Sequence, residues 1–285
     1  MAVRSGHIDA GEGRLSRPLP ARILALACAG ALALGLALPS AAWAEVRRAD
    51  VIKGETVEAR GLTVAQCPSI DALYACVMDE DGTVYFERDA TSPTQIASVT
   101  KIMTAVVALD AIDDGIVSLG DHLIVSSEAA EVGESSAGLQ EGDMLDLRSA
   151  LMALLIPSGN DAAVTIAQYV GQKMIAAQGA QGEDEQFFID AMNAKAAELG
   201  CIDTVYRNPH GLDDGEWSGD QHSCAIDQAK VVQCAMRNET FRSIVGGGSA
   251  PITVDRAGED VEITLESTDG FLDIYEYACG VKTGF

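Results

Sequence analysis

Three short clusters in this chain carry side chains suited to acyl transfer. Ser98-Val99-Thr100-Lys101 sets a hydroxyl and an amine three residues apart. On a helix such residues share a face, so Ser98 Oγ and Lys101 Nζ can meet. A serine hydroxyl is a weak nucleophile until a base takes its proton. Lysine can be that base only if its pKa falls far below about 10.4, and burial or a nearby cation lowers it. Ser158-Gly159-Asn160 offers a hydroxyl that can relay a proton to a leaving amine. Its amide can hold a peptide carbonyl or fix the lysine. After Pro157 the same residues are also ordinary turn chemistry. Lys282-Thr283-Gly284 offers an ammonium and a hydroxyl for a carboxylate, and its glycine lets a substrate strand approach the backbone. Each cluster alone is a weak signal.

The elements that must position these clusters can be read from the apolar pattern. Leu73 to Met78 and Thr83 to Glu87 read as a hairpin around the turn Asp79-Glu80-Asp81-Gly82. Thr91 to Gln95 is a loop. From Ser98 the pattern becomes helical, and Ile102, Met103, Val106, Val107, Leu109 and Ile112 leave no polar face. A helix apolar all round is normally buried, which sets Ser98 at the start of a central helix. Residues 115–144 read as short strands and loops. Leu145 to Ile156, Ala162 to Val170, Glu183 to Leu199 and Ile226 to Met236 read as helices, with Gly200 as a stop signal. Ile252 to Val254, Val261 to Leu265 and Ile274 to Val281 read as strands, the last running into Lys282. Strands, a helical middle and further strands fit an α+β domain whose one sheet takes strands from both ends.

Bulk properties bound the function. The chain has 285 residues, is 48% hydrophobic and carries a formal net charge of −24. That balance repels nucleic acid, so no nucleic-acid partner is expected. Arg4, Arg14, Arg17 and Arg22 precede and open an apolar run from Ile23 to Leu38, and Ala42-Trp43-Ala44 follows with small residues at the positions a signal peptidase reads. Residues 1–44 therefore read as an export signal, residues 45–69 as a lead-in and residues 70–285 as the catalytic domain. A retained anchor is the bland alternative, but the run is short for a span of about twenty residues. Beyond Cys28, six cysteines remain: Cys67, Cys76, Cys201, Cys224, Cys234 and Cys279. An even number in an exported chain suggests disulfides, with free buried thiols as the alternative. His210, His222 and Cys224 lack a convincing ligand spacing, so no metal and no cofactor is expected.

In this order, Ser-x-x-Lys, Ser-x-Asn and Lys-Thr-Gly form the motif set of penicillin-binding proteins and serine β-lactamases. Residues 70–285 resemble the low-molecular-mass group, the serine D-alanyl-D-alanine carboxypeptidases. Ala97 to Thr104, Pro157 to Ala163, Asn208-Pro209-His210-Gly211-Leu212 and Gly280 to Phe285 carry the resemblance. It implies a β-lactamase/transpeptidase-like fold, an antiparallel sheet with a helical subdomain. It implies that Ser98 attacks the carbonyl between two terminal D-Ala residues and Lys101 acts as base. It further implies that Ser158 passes the proton to the leaving group, that Asn160 binds substrate and orients Lys101, that Lys282 and Thr283 hold the terminal carboxylate, and that Gly284 belongs to the same substrate-binding segment. The N–H groups of Ser98 and Phe285 would form the oxyanion hole. The implied partners are a peptidoglycan stem peptide ending in D-Ala-D-Ala and β-lactams, outside the cytoplasm. His210 and its loop are expected to hold structure, and Tyr74 and Tyr277 to pack.

Two features depart from the family pattern. The sequence stops at Phe285, and the family's sheet continues past its third motif, so the expectation is a fragment whose membrane contact lies in a missing C-terminal part. Six cysteines are unusual for the family, and a disulfide at Cys279 is a candidate brace for the third motif. Two rivals stand beside the carboxypeptidase reading. A serine β-lactamase of the class A type needs a glutamate to activate water, yet no Glu-x-x-Leu-Asn segment lies between Ser158 and Lys282. A non-catalytic wall-binding protein would need neither Ser98 nor Lys101.

Overall fold

The computed structural model describes residues 51–52, 55–56 and 70–285 apart from Ser218. The expected export signal, residues 1–44, lies outside the described residues. Within the expected lead-in, strands β1 (Val51–Ile52) and β2 (Glu55–Thr56) are formed. They join β3 (Ala75–Met78) and β4 (Val84–Arg88) in an antiparallel sheet of order β2-β1-β4-β3. The lead-in thus contributes two short strands to this sheet. The β3–β4 turn forms because Asp79 Oδ1 accepts from the N–H groups of Asp81 and Thr83 while Gly82 takes a φ of 84°.

A 3₁₀ turn, Ala97–Thr100, leads into helix α1 (Lys101–Asp113). Residues Lys101 to Leu109 are buried without a break, because α1 packs against four other helices. These are α3 (Leu147–Leu155), α4 (Asn160–Gln178), α5 (Asp184–Glu198) and α6 (Ala225–Ala235). Gly171 lets α4 and α5 approach, since a Cβ there would overlap the Asp184 carbonyl. Asp146 and Ser126 accept N–H bonds at the starts of α3 and of the short helix α2 (Ser127–Glu131), and left-handed Gly179 ends α4.

The second sheet is also antiparallel. Its order is β5 (His122–Ile124), β6 (Met144–Asp146), β7 (Ala250–Arg256), β8 (Glu259–Leu265). The β7–β8 hairpin closes on Ala257-Gly258, both with positive φ, the two-residue turn whose twist suits a hairpin. Helix α3 packs on β7, and α7 (Glu239–Val245), which the apolar pattern did not disclose, packs on α3.

Four expectations are corrected. One sheet was expected to take strands from both ends, but the N-terminal hairpin and the β7–β8 hairpin lie in separate sheets. The helix expected from Leu145 starts at Leu147, because Met144 pairs with both Ile124 and Asp255. The helix expected over Ala162–Val170 runs from Asn160 to Gln178. The strand expected over Ile274–Val281 is instead the end of a one-turn helix, α8 (Phe271–Ile274), followed by an irregular segment. A strand needs a partner, and no described strand pairs with that segment.

The expected disulfides are not found among the described cysteines. Cys76, Cys201, Cys224, Cys234 and Cys279 are all unbridged, and Cys67 lies outside the described residues. Cys279 is exposed, so the suggested brace on the third motif is absent among these five. Burial pushes the Cys76 thiol up to about 11 and that of Cys201 to about 12, which keeps both protonated and poor at thiol exchange.

Candidate active site

Ser98 stands in the 3₁₀ turn that starts the buried helix, one turn before Lys101. Lys101 Nζ lies 2.9 Å from Ser98 Oγ and donates to the His210 carbonyl at 2.7 Å. The lysine is 0% exposed. Burial first, and then the nearby Lys282 charge, lower its pKa to about 6, opposed by Asp161. An amine in that state is mostly neutral at pH 7. It can donate one N–H to His210 and accept a proton from Ser98. Ala97, the residue before the serine, is held at a φ of 44°, a strained conformation of the kind that collects at functional sites.

The loop at Asn208–Leu212 clamps this turn. Asn208 Oδ1 accepts from the N–H groups of His210 and Gly211. Gly211, at a φ of 99°, lies so close to the nucleophile turn that a Cβ would overlap the Ala97 carbonyl. Thr104 of α1 donates to the Pro209 carbonyl at 2.6 Å. The His210 ring is buried, accepts the Leu212 N–H on Nδ1 and meets Trp217 edge-on at 4.6 Å. Burial, then the Lys101 charge, lower its pKa to about 3. The ring is therefore a neutral structural group, while its backbone carbonyl is the part that touches Lys101.

The second cluster forms the junction of α3 and α4. Ser158 is buried at a φ of 70°, and its Oγ has no hydrogen-bond partner. Asn160 opens α4, donates from Nδ2 to the Gly133 carbonyl at 2.9 Å, and leaves Oδ1 unpartnered. Buried polar atoms are nearly always paired, so two orphans here are groups a ligand could satisfy.

The third cluster comes from the C-terminal segment. Lys282 lies near enough for its charge to act on Lys101. Burial lowers the Lys282 pKa to about 8, opposed by Asp269. Its Nζ donates to the Thr283 carbonyl, and Thr283 Oγ1 lies 2.8 Å from Thr268 Oγ1. A Cβ on Gly284 would sit 3.0 Å from the Ile96 carbonyl and 3.1 Å from Val99 Cγ2. The segment thus passes directly against the nucleophile turn. Phe285, next in line, is 98% exposed.

Groups 63 and 184 positions from the nucleophile, Asp161 and Lys282, therefore both act on the charge of one buried amine. Tyr277 does not pack as expected: it is 73% exposed and its ring meets Tyr275 edge-on. Tyr74 is half-buried beside an open groove. Elsewhere, donor atoms of Asp203, Cys224 and Asp227 lie within 4.8 Å of one another. Asp227 there already accepts from Lys230, Thr204 and the Asp203 N–H, which makes the cluster a hydrogen-bonded brace. Sequence reasoning missed two contributors to the site, the His210 carbonyl and Asp161. The first is a backbone atom and leaves no residue-type signal; the second stood beside Asn160 in the quoted segment.

The chain is also similar to proteins already known. The family model for D-alanyl-D-alanine carboxypeptidase matches residues 62–285. The D-alanyl-D-alanine carboxypeptidase DacF of Bacillus subtilis is 30% identical over 217 residues, covering 75% of this chain and 51% of that protein. The Escherichia coli D-alanyl-D-alanine carboxypeptidase DacC is 33% identical, covering 76% of this chain and 58% of that protein. The chain thus spans little more than half the length of these two relatives. The crystal structure of a Streptomyces DD-transpeptidase superposes with a TM-score of 0.69 at 28% identity, covering 78% of this chain and 82% of that one.

Proposed function

Because the chain belongs to the D-alanyl-D-alanine carboxypeptidase family, we propose that it is a serine acyl-transfer enzyme that removes the terminal D-Ala from peptides ending in D-Ala-D-Ala. The observation that carries this reading is the fully buried Lys101 amine, 2.9 Å from Ser98 Oγ.

Ser98 Oγ attacks the carbonyl between the two D-Ala residues as its proton passes to Lys101 Nζ. On this reading the oxyanion that forms is held by the N–H groups of Ser98 and Phe285, backbone donors of the kind that stabilise such charge. The C–N bond breaks and the D-Ala amine leaves with a proton relayed through Ser158, whose hydroxyl lacks any competing partner. The remaining peptide is an ester on Ser98. Water, activated by Lys101, releases it. Asn160 Oδ1 is free to accept a substrate N–H. Lys282 and Thr283 hold the terminal carboxylate, and Gly284 lets the peptide lie close. β-Lactams present the same acyl group and form the same ester.

The natural substrate on this reading is the peptidoglycan stem peptide, met outside the cytoplasm after export through residues 1–44. No described helix is long and apolar enough to cross a membrane. Transfer of the acyl group to an amine passes through the same Ser98 ester. Incubation of the chain with a peptide ending in D-Ala-D-Ala is expected to release free D-Ala, and the Ser98→Ala variant to release none. Equal release by both would contradict the assignment.

A further inference from the structure

The loop 133–139 crosses the mouth of the second cluster in a tight path, with Gly133, Glu134 and Gly138 all at positive φ. Its geometry is tied to one side chain. Asp161, 1% exposed, accepts from Ser136 Oγ at 2.6 Å, from the Ala137 N–H at 2.9 and 3.0 Å, and from the Leu139 N–H at 3.1 Å. It also takes the Ala162 N–H at 2.8 Å. The loop in turn holds Asn160 at both ends: its Nδ2 donates to Gly133, and its N–H donates to the Ser135 carbonyl. Gly159 fits between them only without a side chain, since a Cβ there would press on Asp161 Oδ1, the Ala153 carbonyl and Ala137.

We propose that Asp161 is a positioning residue, whose carboxylate gathers the 133–139 loop onto the start of α4 and thereby aims Asn160 and Ser158 at the Ser98–Lys101 pair. This rests on the acyl-transfer reading above and adds to it a residue which touches neither the substrate nor the reacting atoms. Three of the groups it binds are N–H or O–H donors from the loop. Its isosteric amide therefore meets at least one donor with another donor, and that anchor is lost. A misplacement of about 1 Å costs on the order of 10²-fold in rate.

The carboxylate has a second, separable effect. The titratable groups that face Lys101 are Lys282, Asp161 and His210. Of these only Asp161 favours the protonated amine. Its removal should therefore move the acid limb of the rate profile to lower pH, which loss of loop order alone would not do.

The test measures β-lactam acylation of the purified chain against pH, with melting temperatures on the same samples. Asp161→Asn is expected to slow acylation about 10²-fold and to move the acid limb down. Ser136→Ala removes one anchor without altering charge, so a decrease of about 3- to 10-fold with an unmoved limb is expected. A folded Asp161→Asn protein that reacts at the parent rate with an unmoved limb overturns the proposal. Should that variant fail to fold, Ser136→Ala decides, and a parent-like rate for it overturns the proposal. An unmodified chain that forms no adduct removes the acyl-transfer reading itself, and this proposal with it.

Discussion

At the scale of single residues, the proposed mechanism gives two amines different tasks. Lys101 must be neutral to take the Ser98 proton, and Lys282 must be charged to hold a carboxylate. With Lys101 lowered to about 6, the neutral fraction rises as pH passes upward through 6. With Lys282 lowered to about 8, its charge is lost as pH rises through 8. The rate of β-lactam acylation is therefore expected to be bell-shaped, with limbs near those two values, and stopped-flow measurement across pH 4–10 checks it. A single rise near pH 10 would mean that Lys101 is not desolvated. The roles proposed for Ser98, Lys101, Ser158, Asn160, Lys282 and Thr283 come from residue type and order, which a sequence carries. Asp161 and the His210 carbonyl were not assigned there, because their importance comes from which donors the fold brings to them.

At the scale of elements, the nucleophile turn depends on a loop more than a hundred residues away. Gly211→Ala forces both a left-handed alanine and an overlap with the Ala97 carbonyl. It is expected to cost on the order of 3 kcal/mol of stability and to slow acylation even where the protein stays folded. A lowered melting temperature with unchanged acylation would separate the loop from the site. Helices α1, α5 and α6 were readable from apolar pattern and stop signals, since those signals are local. The strands β1, β2 and β6 were not, because two- and three-residue strands exist only through their partners. The segment before Lys282 has strand-like composition but no described strand beside it, so composition misled there.

At the scale of the whole molecule, the core around α1 brings three sequence-distant clusters together. Leu154 in α3 is fully buried in that core. Leu154→Ala is expected to cost about 2–5 kcal/mol, read as a shift of the denaturation midpoint, and a loss below about 1 kcal/mol would mean looser packing than described. The even cysteine count suggested bridges, yet the described thiols are unbridged. Under native conditions an alkylating reagent should modify Cys279 quickly and Cys201 and Cys224 only after unfolding, as peptide mass spectrometry will show. Added reductant should leave acylation unchanged. On the proposed function, this fold assembles a nucleophile at Ser98. The most direct measurement is mass spectrometry of the chain after incubation with a penicillin. A stable covalent adduct mapped to Ser98, absent from Ser98→Ala and from Lys101→Met, is the predicted result. An adduct at another residue, or labelling of the Ser98→Ala protein at the parent level, would contradict it.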